Sequence, residues 1–190
     1  MTGAPRPRGT LIAVVGPSGV GKDSVMDALG PRLGLARVRR VITRPAALGG
    51  EDFVPVDVAT FERQRTAGHF ALHWGAHGLR YGIPTSIDDA LAAGESLLAN
   101  LSRGVLAEAA ARYDPLCVLN LTATPDTLAR RLAARRRESA EQIAHRLARD
   151  AALPPGLRVI TVSNDGPLAE TVAACAARLA PYLKTAPLGA

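Results

Sequence analysis

Apolar and polar positions along the chain fall into short strand-like runs separated by segments of helical spacing. Thr10-Leu-Ile-Ala-Val-Val15 is apolar, β-branched and ended by glycine, which predicts a buried strand. From Lys22 to Leu33 the spacing turns helical, with Val25, Met26 and Leu29 on one face. Val38 to Ile42 predicts a second strand, and the Ala, Gly and acidic residues between Pro45 and Pro55 predict a loop. Asp57 caps a short helix running through Phe61 to Arg65, and Phe70–Trp74 and Leu79–Tyr81 follow as short strands. Ser86 caps a helix ending near Gly94. Ser96–Leu101 is a third core strand, leading to a helix that ends at Tyr113, and Leu116–Leu121 is a fourth. Thr124-Pro125-Asp126 starts a helix, with proline at the first helical position and a carboxylate near the positive end of the dipole. Ser139-Ala-Glu-Gln142 has the form of a capping box for another. Arg158–Val162 is a fifth strand, and Pro167–Leu183 a final amphipathic helix. Strands alternating with helices predict an α/β fold, a parallel sheet with helices on both faces. Ligands of such sheets bind beyond the carboxyl ends of the strands.

The first loop at such an end is Gly16-Pro17-Ser18-Gly19-Val20-Gly21-Lys22-Asp23, between a predicted strand and a predicted helix. It fits the G-x-x-x-x-G-K phosphate-binding pattern. Its glycines let backbone N–H groups converge on an anion, the helix adds its positive end, and Lys22 reaches the β- and γ-phosphates. The position after the lysine, where a Ser or Thr hydroxyl would ligate Mg²⁺, is Asp23, followed by Ser24. A carboxylate there is a hard oxygen ligand for Mg²⁺ or a helix cap, and the sequence leaves both open.

At 190 residues the chain is one domain, and its 47% apolar and 21% charged composition is globular. Residues 1–9 read as a frayed tail with no secretory pattern, and no apolar run approaches the ~18 residues of a membrane span. Cys117 and Cys175 make neither a metal spacing nor a disulfide framework, which suits a reduced, cytoplasmic protein. The formal charge of +6 suits an anionic partner. That partner could be nucleic acid, a phosphorylated metabolite or acidic lipid; at 4%, aromatic residues leave few stacking platforms for single-stranded nucleic acid, and the phosphate loop turns the expectation to a small phosphorylated substrate, with no nucleic acid and no membrane. Lysine occurs only at 22 and 184; every other basic residue except histidine is arginine.

Many of those arginines cluster. Arg131 and Arg135 are i,i+4 neighbours on one helical face, and Arg146 lies on the next predicted helix. An arginine-rich corner of two helices suits a lid over transferring phosphates. Arg130, Arg136 and Arg137 fit a solvated basic face.

Over nearly its whole length the chain resembles the guanylate kinase superfamily of P-loop nucleoside monophosphate kinases. The matching residues are the phosphate loop, Thr43-Arg44, Phe70-Ala-Leu-His-Trp74, Gly78-Leu-Arg-Tyr81-Gly82, the spacing of Arg131, Arg135 and Arg146, and Val162-Ser-Asn164-Asp165. The resemblance implies a P-loop NTPase fold with a five-stranded parallel sheet in a single domain over 10–185. It adds a small acceptor-binding insertion at about 43–85 and a helical lid at about 125–150. It implies ATP and Mg²⁺, with Gly16 to Ser24 at the phosphates, Asn164 and Asp165 beside the adenine, and Lys22, Arg131, Arg135 and Arg146 at the transfer.

Departures bear on the acceptor. Guanylate kinases read guanine with a Glu in F-x-E-W, a hydroxyl after Y-G and an acid in D-x-D-x-Q-G; here stand His73, Ile83 and Asn100-Leu-Ser-Arg103-Gly. A guanine pocket lacking its acceptors would leave base N–H donors unpaired. The changed residues resemble another branch, the ribose 1,5-bisphosphate phosphokinases of phosphonate catabolism. The marks are G-K-D-S (Gly21–Ser24), I-T-R-P (Ile42–Pro45), G-G-E-D (Gly49–Asp52), F-A-L-x-W (Phe70–Trp74), N-x-S-R (Asn100–Arg103) and N-D-G-P-L (Asn164–Leu168). That branch moves the ATP γ-phosphoryl group to the 1-phosphate of ribose 1,5-bisphosphate, giving 5-phosphoribosyl diphosphate. Arg44, Arg80 and Arg103 are then candidates for the acceptor phosphates, Glu51 and Asp52 for sugar hydroxyls, and Tyr81 and Asn100 for the same pocket. The rivals are a divergent guanylate or broad nucleotide kinase, and a non-catalytic guanylate-kinase-like binding module. The oligomeric state stays open, with a homodimer among the options.

Overall fold

The computed structural model describes residues 8–45, 51–134 and 152–183. β1 (Leu11–Val15), β2 (Ala36–Arg37), β7 (Leu97–Asn100), β8 (Leu116–Thr122) and β9 (Val159–Ser163) form a parallel sheet of five strands in the order β2-β7-β1-β8-β9. The order reverses at β1, so the crevice beyond its carboxyl end is the place for a ligand. β1 is buried throughout, and its side chains alternate between two cores. Ile12 and Val14 pack with α1 (Lys22–Leu33) and α6 (Leu168–Leu179) through Val25, Met26, Leu29, Val172 and Leu179. Leu11, Ala13 and Val15 pack with α3 (Ser86–Ala92) and α4 (Leu106–Arg112) through Ile87, Leu91, Leu106 and Ala109. Both thiols are buried, in the first of these cores.

A second sheet of four strands, β4-β3-β6-β5, stands over the acceptor region. It consists of β3 (Arg40–Ile42), β4 (Phe53–Pro55), β5 (Phe70–Ala76) and β6 (Leu79–Pro84). β5 and β6 form a hairpin whose two turn residues, His77 and Gly78, both have positive φ, as a tight two-residue turn requires. α2 (Val58–Thr66) starts where Asp57 accepts from the Thr60 amide, and Phe61 anchors it by stacking on Phe70 at 4.6 Å. The last described helix of the acceptor-to-lid half is α5 (Pro125–Ala134).

Three expectations change. The strand expected over Val38–Ile42 is only Arg40–Ile42, which joins the second sheet, and the strand of the parallel sheet is Ala36–Arg37 just before it. Ala36 and Arg37 pair with β7, the Val38 amide still reaches the Leu98 carbonyl, and the chain then crosses so that Arg40–Ile42 pairs with β4 and β6. The loop expected between Pro45 and Pro55 ends in β4, because Phe53 buries its ring there. Thr85, not Ser86, is the N-cap of α3, with no side-chain capping bond. The helix expected from Ser139, with Arg135 and Arg146, lies outside the described residues.

Candidate active site

The phosphate loop leaves β1 at Val15 and enters α1 at Lys22. Gly21 is its N-cap, at φ 91°, and a Cβ there would come 2.7 Å from Asn164 Nδ2; a side chain would be strained and would collide with the brace of the loop. That brace is Asn164, buried at the end of β9. Its Nδ2 donates to the Val20 carbonyl at 2.7 Å, and its Oδ1 accepts from Thr171 Oγ1 at 2.8 Å. Arg131, on α5, donates from Nη1 to the same carbonyl at 3.3 Å. Lys22 folds back over the loop, donating from Nζ to the carbonyls of Gly16 at 2.7 Å and Pro17 at 3.1 Å. Gly16, Lys22, Arg131 and Asn164 are thus brought together at the phosphate loop.

Burial pushes the Lys22 ammonium down to about 8; Asp23 and Glu51 favour its charge, while Arg40 and Arg103 oppose it. The sign of the consequence is definite. A lysine with a lowered folded-state pKa destabilises the empty protein below about pH 8, and stability rises with pH from there toward the unfolded value of 10.5. A phosphate ligand needs the protonated form. Nucleotide affinity is therefore expected to fall above pH 8, by up to roughly tenfold per pH unit, and Lys22→Met should abolish this dependence. Calorimetric titration with ADP at several pH values measures it, and the same slope in the variant would refute it.

Asp23, in the first turn of α1, is paired with an arginine. Its Oδ1 accepts from Arg37 Nη2 at 2.6 Å, and Arg37 Nη1 also holds Asp27 one turn on. Ser24 is exposed. No group of three or more His, Cys, Asp or Glu capable of holding a metal occurs among the described residues. That donor set fits a Mg²⁺ held chiefly by phosphate oxygens and water, with Asp23 as a carboxylate beside the loop lysine and Arg37 its competitor.

On the second sheet's side, Arg44 lies with its Cζ 4.4 Å from the centroid of the Phe53 ring, and its buried Nε and Nη2 have no hydrogen-bond partner among the described residues. Arg103 donates from Nη2 to Asn120 Oδ1 at 3.0 Å, and Asn120 donates in turn to Thr161 Oγ1 at 3.3 Å. Burial lowers the Arg103 pKa. Tyr81 stacks on Trp74 with ring centroids 5.4 Å apart. Asn100 is buried, and its carbonyl accepts from Arg40 Nη1 at 3.2 Å.

Several residues assigned from sequence to the ligands have partners within the chain. Glu51, expected at sugar hydroxyls, is locked by Arg40, whose Nε and Nη2 engage its two oxygens. Asp52 is exposed and pairs with Arg39 at 2.9 Å. Arg80, a candidate for acceptor phosphate, is paired with Glu62 of α2. Asn164 and Asp165, expected beside an adenine, also make bonds within the chain: Asp165 accepts from the Thr124 amide at 2.8 Å, Thr124 Oγ1 at 2.9 Å and Ser163 Oγ at 2.6 Å. Those hydrogen bonds, led by Ser163, hold its pKa below the usual carboxylate range and tie β9 to the start of α5.

Arg40 is the residue that sequence reasoning missed. Arg40, Val41 and Ile42 are all buried, and the change of sheet before Arg40 leaves no alternation from which its burial could have been read.

No protein-family profile matches the chain. It is 50% identical over 170 residues to the ribose 1,5-bisphosphate phosphokinase PhnN of a Ruegeria species, covering 87% of this chain and 88% of that protein. It is 46% identical over 168 residues to the enzyme of the same description from Brucella melitensis, covering 86% and 88%. Among solved structures, the guanylate kinase of Anaplasma phagocytophilum superposes with a TM-score of 0.63 at 22% identity, over 95% of this chain and 89% of that one, a likeness of fold. No helix among the described residues is long and apolar enough to cross a membrane.

Proposed function

Since the chain belongs to the ribose 1,5-bisphosphate phosphokinase family, with a guanylate-kinase-like P-loop fold, we propose that it is a cytoplasmic kinase that transfers the γ-phosphoryl group of ATP to the 1-phosphate of ribose 1,5-bisphosphate. A 1-phosphate oxygen forms the new bond to the γ-phosphorus, the bond from that phosphorus to the β–γ bridging oxygen breaks, and ADP leaves. The products are 5-phosphoribosyl 1-diphosphate and ADP. The attacking phosphate oxygen is already ionised at neutral pH, so the site needs no strong general base. Positioning and charge neutralisation carry the reaction.

In this reading the loop amides of Gly16 to Lys22 and the Lys22 ammonium hold the ATP phosphates. Mg²⁺ would supply further neutralisation at the β- and γ-phosphates. Arg131, already at the Val20 carbonyl, turns toward the transferred group together with Arg135 and Arg146, two residues assigned from sequence spacing. Arg44 and Arg103 bind acceptor phosphate.

The observation that carries the acceptor half is Arg44. A buried guanidinium with two nitrogens lacking any partner is costly to leave so, and an anion is the partner that a planar cation fork fits. The loss of guanine-reading side chains at His73 and Ile83, the latter fully buried, supports an acceptor without a base.

A product assay with ATP and a panel of ribose 1,5-bisphosphate, GMP and AMP tests the reading. Conversion of the bisphosphate to 5-phosphoribosyl diphosphate, with far weaker turnover of GMP, is expected. Efficient GMP phosphorylation without bisphosphate activity would show a nucleotide kinase instead.

A further inference from the structure

The cleft carries its positive charge on the ends of three neighbouring strands. β7, β1 and β8 lie side by side, with Asn100 in register with Val14 and Asn120 with Val15. Arg40 holds the Asn100 carbonyl, Arg103 holds the Asn120 side chain, and Lys22 sits in the loop that leaves β1 between them. Like charges gathered in this way cost the empty protein free energy, which an entering anion offsets.

Arg40 differs from the other two in how firmly it is held. Its guanidinium is buried within β3, engages both oxygens of buried Glu51 and reaches the Asn100 carbonyl. Arg37 stands behind Glu51 at 3.8 Å and continues the network to Asp23 beside the phosphate loop. Arg40 also lies against the aromatic pair of the second sheet, with its Cζ 5.0 Å from the Tyr81 ring centroid and 5.8 Å from that of Trp74. The two rings are nearly coplanar in orientation, 7° apart, and they form the kind of surface on which a planar base stacks. Here a cation takes that contact. Pushing it aside would break a bidentate pair and strand a buried carboxylate.

We propose that Arg40 is a specificity-determining residue: held by Glu51 and the Asn100 carbonyl, it closes the Trp74–Tyr81 wall to a nucleobase and leaves the cleft to a compact sugar bearing two phosphates. It acts by occupying space and setting charge, and need not touch the acceptor. The inference rests on the phosphosugar-kinase reading above.

Trp74 is the chain's one tryptophan, so its fluorescence reports on this wall directly. Ribose 1,5-bisphosphate, GMP and AMP are titrated into the wild-type chain and three variants, and kcat/KM is measured with the same acceptors. Arg40→Met combined with Glu51→Gln removes both buried charges at similar volume. Arg40→Lys keeps the charge without the planar fork, and Glu51→Gln keeps the guanidinium with a looser clamp.

The ratio of bisphosphate to GMP affinity is expected to drop roughly 30-fold or more in the double variant, partly through a gain in GMP binding. Arg40→Lys and Glu51→Gln should fall between it and the wild type, with the KM for ATP held within about threefold. A folded double variant with an unchanged ratio overturns the role. So does an equal loss for all acceptors with no gain for nucleotides, which is what damaged packing alone would produce. If the double variant fails to fold, the two single variants decide by the same ratio. A wild-type chain that binds GMP and not the bisphosphate refutes the phosphosugar acceptor itself, and this inference with it.

Discussion

Lys22→Ala is expected to lower kcat/KM by on the order of 10³-fold while the protein stays folded. Among the described residues Nζ donates to the carbonyls of Gly16 and Pro17, so its contribution to the core is small. Burial already pushes its pKa down to about 8, which means that the folded protein bears a cost for its charge at neutral pH. Losing the side chain therefore removes two hydrogen bonds and one desolvated charge, and the two effects on stability oppose each other. The catalytic loss has no such offset, because no other lysine occurs among the described residues. Steady-state kinetics alongside thermal unfolding separates the two effects, with Lys22→Met as a second variant that keeps the aliphatic stem. Near-normal activity in a folded variant would remove the phosphate-loop assignment.

Arg44→Ala is expected to cut kcat/KM for the acceptor by about 10²-fold or more, with the KM for ATP little changed. Its effect on stability should have the opposite sign from that of an ordinary buried arginine. The unpartnered Nε and Nη2 carry a desolvation cost of about 1–3 kcal/mol, which the contact with the Phe53 ring offsets only in part. The melting temperature of the alanine variant should then match or exceed that of the wild type. Arg44→Lys should recover little activity, since a point charge cannot bridge two phosphate oxygens. Unchanged acceptor kinetics, or a clear loss of stability, would mean that Arg44 is a structural residue.

Where a motif was confined to consecutive residues, sequence and structure agree closely. β1, the loop from Gly16 and the helix from Lys22 to Leu33 are contiguous, and each is specified by neighbours in the chain: β-branched alternation, glycines at positive φ, helical spacing. The same holds for Asp57 at the start of α2 and Pro125 at the first position of α5. Four of the five parallel strands followed from the alternation of elements, since a buried parallel sheet needs helices between its strands; the other, Ala36–Arg37, precedes the run expected for it, whose Arg40–Ile42 joins the second sheet.

What an ionisable side chain does was another matter. Glu51, Asp23, Arg80 and Asn164 were all recognised as polar residues near a motif, and all have partners that spacing could not supply. Asn164 reaches back 144 residues to the Val20 carbonyl, and Arg40 reaches 60 residues on to that of Asn100. Arg40 itself was hidden in a run that reads as one apolar strand, because the change of sheet after Val38 is set by the pairing of distant strands. Local backbone preferences and hydrophobic periodicity act over a few residues, and they suffice for elements, for the phosphate loop and for the class of fold. A charged group takes whichever opposite charge or carbonyl packing brings within about 3 Å, and that choice is made between segments far apart in the chain. Which arginines stay available for phosphate, and which are already held by carboxylates, was therefore decided by the assembly of the two sheets around the crevice.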